Sequence, residues 1–167
     1  MWRRVAGFAL GAGLALAPFA PALAASEGLL LRVETTDGAE LAALPVAEGD
    51  GWCLYWHHSV AGFEVQDCFA ARSGGMELVS SRQPDFAAGL GHVPGRGEMT
   101  STADGGYLIE NIDEPIPGNC LPLRLGSLAV NHRLVIGDKD ISLSVLAERE
   151  RVRILLEGEG SEGATKC

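Results

Sequence analysis

Apolar and polar residues alternate with a period of two over most of the chain, and turn residues interrupt the alternation at short intervals. Leu29, Leu31 and Val33 alternate with Leu30, Arg32 and Glu34 before Thr36-Asp37-Gly38 turns the chain. Ala39 to Val46, Trp52 to Ser59, Phe63 to Ala71 and Met76 to Arg82 follow, each bounded by a Gly-containing turn. Further on, His132 to Ile136 and Ile141 to Leu146 flank Gly137-Asp138, a two-residue hairpin signal. In the second of these runs Ile141, Leu143 and Val145 face in and Ser142 and Ser144 face out. Val152, Ile154 and Leu156 repeat the pattern with Arg151 and Arg153 on the other face. A strand places successive side chains on opposite faces, so this pattern buries one face and wets the other. It predicts an all-β fold: an antiparallel sandwich or barrel of about eight to ten short strands. No segment has helical periodicity over a helix length. Only Leu146 to Val152 is long enough and charged enough for a helical turn.

The first 24 residues read differently. Arg3 and Arg4 precede an apolar stretch from Val5 to Ala20, and Ala22-Leu23-Ala24 has the small-x-small form of a signal-peptidase site. Pro18 and Pro21 interrupt it, which argues against a transmembrane helix of ~20 residues. The expectation is a cleaved signal peptide over 1–24, one β-rich domain over 25–167, a periplasmic or secreted location and no stable membrane insertion. Loss of Arg3 and Arg4 leaves 11 basic against 22 acidic residues, a formal charge of −11. That balance disfavours nucleic acid and anionic lipid as partners.

Four cysteines, Cys53, Cys68, Cys120 and Cys167, are an even count in a chain bound for an oxidising compartment, so disulfides are expected. Three connectivities are possible, and two demands on the hairpin near residue 60 compete. If Cys53 lies opposite Cys68, Trp56 faces Val65 and His57 faces Glu64. His58 and Asp67 then fall out of step by ~13 Å at ~3.3 Å per residue. If His58 faces Asp67 instead, the cysteines lie beyond the ~7 Å Cα limit for a bridge. The disulfide register needs only the short loop Ser59 to Gly62 and is the one favoured. Cys120–Cys167 follows by elimination.

Chemistry has few footholds. Trp56-His57-His58-Ser59-Val60 is the most unusual local sequence, with Asp67 downstream. A hydrolase would recruit Ser59, His58 and Asp67, but adjacent strand residues diverge and no nucleophile-elbow sequence is present. Four scattered histidines lack metal-ligand spacing, and no cofactor motif is found, so neither metal nor cofactor is expected. Gln83 to Gly106 is a long Gly-rich segment of the kind that is often functional. The candidate binding residues are His58, Ser59, Asp67, Phe86, Gly89 and His92, with the hairpin end and the 83–106 segment forming the working surface.

The order His58-Ser59-Val60, Asp67 and Phe69, Phe86-Ala87-Ala88-Gly89-Leu90, and His132-Arg133-Leu134 resembles the family called domain of unknown function 1850. The likeness runs over about residues 28–156. The family pattern has His-Ser-Val, a Glu nine positions after the His, and Phe-Gly-Ala-Gly-Leu-Pro. Here Asp67 stands in place of the Glu, Ala87 replaces the first Gly and Gly91 the Pro. Members are small exported bacterial proteins, often encoded beside tripartite solute transporters. The resemblance therefore implies a non-enzymatic periplasmic accessory or binding protein, with a transporter subunit or an extracytoplasmic solute-binding protein as partner. A hydrolase built on the polar cluster and a purely structural domain are the alternatives.

Overall fold

The computed structural model describes residues 28–84, 95–103 and 105–158. They form two antiparallel sheets around one core, so the sandwich expected from the alternation is the fold. The small sheet orders β2 (Glu40–Val46), β1 (Leu29–Thr35), β12 (Arg151–Gly158) and β9 (Cys120–Arg124). The large sheet orders β11 (Lys139–Ser142), β10 (Arg133–Ile136), β3 (Gly51–His57), β4 (Glu64–Arg72), β5 (Gly75–Gln83), β7 (Tyr107–Glu110) and β6 (Glu98–Ser101). A two-residue strand, β8 (Glu114–Pro115), also pairs with β5.

The core is the sum of the two inward faces. Leu31 and Val33 on β1 and Val152, Ile154 and Leu156 on β12 face Trp52 and Leu54 on β3, Phe69 on β4, and Met76 and Leu78 on β5. Each such side chain contributes roughly 1.5–3 kcal/mol by leaving water. Registry is set by turns that the sequence marks. Ser73 and Gly74 both have positive φ and close β4–β5 in a two-residue loop, the geometry that matches strand twist. Gly137-Asp138 closes β10–β11 in another two-residue loop, with Gly137 at positive φ.

Twelve strands are present among the described residues, more than the eight to ten expected. The additional ones are β6, β8 and β9. Strand β6 is exposed along its whole length and β8 is two residues long, so neither writes a period-two apolar signal. Part of the expected 83–106 loop is therefore the β6–β7 hairpin. The Ile141–Leu146 strand stops early. After Ser142 the chain makes one helical turn, α1 (Leu143–Leu146), and Ser142 Oγ accepts the Val145 amide as its cap. Leu143 and Ser144 are consequently buried, while Val145 and Leu146 are exposed, which reverses the expected faces of Ser144 and Val145. The segment Leu146 to Val152 is not helical beyond its first residue.

Candidate functional site

Strand β3 pairs with β4 so that Cys53 faces Cys68, Trp56 faces Val65 and His57 faces Glu64. Cys53 and Cys68 are bonded, and no described cysteine is free. Cys120 is also disulfide-bonded; Cys167, its expected partner, lies outside the described residues. The disulfide register is thus the one adopted, and it keeps His58 away from Asp67. His58 instead organises the hairpin end. Its amide donates to Phe63 O, its Nδ1 accepts from the Val60 and Ala61 amides at 3.3 and 3.1 Å, and its ring stacks on Phe63. Ser59 is exposed beside it.

Asp67 points the other way, between the sheets. Its neighbours across the strands are Leu54 on β3 and Ser81 on β5. A bulge creates that second pairing. Cys68 faces Ser80 and Phe69 faces Leu78, which leaves Val79 as an extra residue held by the Ile112 amide. The insertion exchanges faces beyond it. Without it Ser80 and Arg82 would continue the inward face of Met76 and Leu78. With it, Ser81 and Gln83 are buried. They are not left unpaired. Tyr107 Oη donates to Gln83 Oε1 at 2.9 Å, Gln83 Nε2 donates to Ser81 Oγ at 3.3 Å, and Ser81 bonds Asp67. The polar chain runs from the fully buried Tyr107 to the Asp67 carboxyl. Burial pushes that carboxyl above its ordinary value, against the opposing pull of the Ser81 bond and of Arg96.

Asp67 opens onto a cavity of about 300 Å³ between the sheets. Leu54, Trp56, Phe69 and Leu78 form its large-sheet wall, and Leu121 and Leu123 of β9 form the opposite one. Three further polar groups line it: Arg96, Glu114 and His132. Arg96 Nε donates to Glu114 Oε2 at 2.6 Å; Arg96 is half-buried and Glu114 exposed, so the ion pair sits at the rim. Gly97 fixes the approach of this segment: it has positive φ, and a Cβ there would lie 2.5 Å from Glu110 O. His132 is buried, its ring stacked on Trp56 at 5.9 Å. Its Nδ1 accepts the Gly126 amide at 3.0 Å, which places the proton of the neutral ring on Nε2. Burial holds its pKa below the ordinary value, so the neutral ring prevails at pH 7. Gly126 is required there, because a Cβ would come within 2.4 Å of Val130.

The sequence-derived set is therefore divided. Asp67 belongs to the cavity; His58 and Ser59 lie on a separate groove that shares Trp56 and His132 with it. Phe86, Gly89 and His92 lie outside the described residues. Arg96, Glu114, Leu121 and His132 were not singled out as one site. Nothing in a single sequence places β8 beside β5 or β9 across the cavity from it, and the period-two pattern reads His132 only as the start of a strand. Among the described residues, no three His, Cys, Asp or Glu side chains are grouped to hold a metal ion, and no helix is long and apolar enough to cross a membrane.

The family model described as a domain of unknown function, DUF1850, matches residues 53–143. The match starts in β3 and takes in Asp67, Arg96, Glu114 and His132, but leaves out β1, β2 and β12. No curated protein and no solved structure matches the chain.

Proposed function

The chain belongs to the DUF1850 family, and from that premise we propose that it is a non-enzymatic binding protein that works outside the cytoplasm as an accessory to solute uptake. It holds a small, mainly apolar ligand with one hydrogen-bonding end in the cavity between its sheets. One observation carries this reading: apolar walls from both sheets converge on four polar side chains, Asp67, His132, Arg96 and Glu114. That is the composition of a ligand pocket, in which apolar surface supplies affinity and a few polar groups fix orientation.

The export part rests on the leader over 1–24 and on bonded cysteines, which persist in oxidising compartments. A transporter subunit or extracytoplasmic solute-binding protein as partner follows from the family resemblance. The hydrolase alternative draws no support from the geometry, since Ser59, His58 and Asp67 are not brought together and no hydroxyl or thiol lines the described cavity.

Titration with N-phenyl-1-naphthylamine, a neutral apolar fluorophore, tests the pocket. Saturable one-to-one binding is expected. Leu121→Trp, which fills the cavity, should abolish it, while Arg124→Gln on the outer face leaves it intact. Binding that survives Leu121→Trp in a folded variant would place the fluorophore elsewhere and remove the pocket from the proposal. Affinity capture from periplasm with the mature chain as bait tests the uptake role: recovery of a solute-binding protein or transporter subunit is the expected result.

A further inference from the structure

The groove on the other side of the Trp56–His132 stack has the opposite electrostatic character. It measures about 490 Å³ and is lined by Arg124, Arg149, His57, His58 and Ser127, among others, and no carboxylate of the described residues lines it. This is unexpected in a chain of net charge −9. Several described cations are tied to acids: Arg32 to Glu40 and Glu157, Arg72 to Glu77 and Asp113, Arg96 to Glu114, Arg153 to Glu34, and Arg133 to Glu64 and Asp140. Arg124 has no ion pair among the described residues. Arg149 has only a long contact of 3.8 Å to its neighbour Glu148. The same Glu148 Oε1 also accepts the Leu128 amide at 3.3 Å, and neither Glu148 nor Glu150 lines the groove.

Strand pairing sharpens the point. Arg124 on β9 lies directly opposite Arg151 on β12. Like charges in that position oppose pairing, and no described acid separates them. His57, also lining the groove, keeps a buried Nδ1 without a hydrogen-bond partner among the described residues. Buried polar atoms are ordinarily satisfied.

From these observations we propose that the groove is a binding site for the oxyanion group of a small molecule, a carboxylate or a phosphate. Arg124 and Arg149 present guanidinium forks that match either group bidentately. Arg151 does not line the groove, but a bound oxyanion beside Arg124 offsets a charge that no described acid meets. The site lies across the shared Trp56–His132 stack from the cavity between the sheets and does not depend on that cavity binding a ligand.

Calorimetric titration of the full mature chain at low ionic strength, with succinate and with inorganic phosphate as probes, tests the site. At least one probe should bind saturably, and the double variant R124Q/R149Q should weaken it by at least about tenfold, as expected for loss of charge-assisted bonds. Succinate binding without phosphate binding assigns the site to carboxylates, and the reverse assigns it to phosphates. Lys139→Gln, at the start of β11, controls for a general charge effect and should leave the affinity unchanged. Leu121→Trp should also leave it unchanged, which keeps this result independent of the cavity. No saturable binding of either probe overturns the proposal, as does binding that R124Q/R149Q leaves intact or that K139Q weakens equally. Both arginines are exposed, so an unchanged melting curve verifies that the variants fold.

Discussion

Replacing both Cys53 and Cys68 by alanine isolates the bond that fixes the β3–β4 register. The two residues are 15 apart in sequence. A closed loop of that length lowers the entropy of the unfolded chain enough to stabilise the fold by about 3 kcal/mol at 25 °C. Both cysteines are half-buried, so the lost sulfur contacts add little, and the Gln66 Nε2 bond to Cys68 Sγ at 2.9 Å is one that water replaces. Unfolding entropy of about 2.1 cal/mol/K per residue, over the roughly 130 residues from β1 to β12, converts 3 kcal/mol into a fall in Tm of about 11 °C. Urea denaturation of the double variant against the parent chain, both oxidised, measures the change directly. Reductant is no substitute for mutation, because it would also open the bond at Cys120. The effect acts on the unfolded state, so the folded register persists and fluorophore binding in the cavity should be unchanged. A loss below about 1 kcal/mol would refute the reasoning: it would mean that the 53–68 segment is already closed in the unfolded ensemble, where a bond gains nothing. A loss of cavity binding would refute it differently, by making the bond and not the strand pattern the source of the register.

Gly126→Ala should cost roughly 1–3 kcal/mol, the range for overpacking, since its Cβ meets Val130 at 2.4 Å; an unchanged urea midpoint would contradict the close approach. Asp67 has a folded pKa raised above its ordinary 3.8, so its protonated form stabilises the fold below that pH and the contribution is lost as pH rises through the folded value. The stability of Asp67→Asn relative to the parent should therefore increase as pH rises above 3.8, and a difference that stays flat would place the carboxyl in water. His132 has a folded pKa lowered below 6.5. Its contribution is present above 6.5 and lost as pH falls through the lower value, so the parent chain should lose stability in acid more steeply than His132→Gln. Parallel melting curves from pH 7 to 5 would argue against a buried ring.

The alternation of apolar and polar residues dictates most of this protein by itself. It places Leu31, Val33, Ile154 and Leu156 on inward faces, because a strand's side chains alternate whatever lies across from them. The Ser73-Gly74 and Gly137-Asp138 turns are local in the same way. So is the β3–β4 register, since a short loop and a cross-strand cysteine pair leave one alignment. What only tertiary structure decides is where the local rules are broken or silent. The extra residue Val79 in β5 follows Leu78 as one more apolar residue with no local mark of a bulge, yet it exchanges the faces of Ser81 and Arg82 and so builds the polar chain that ends on Asp67. The turn of helix after Ser142 wins over strand alternation because Ser142 caps it and the turn buries Leu143 and Ser144, whose hydroxyl then accepts the His132 amide. The cavity depends on β9, distant in sequence from β3 and β4, closing over Leu54 and Phe69. Residues that meet across two sheets share no sequence period, so their convergence is a property of packing alone.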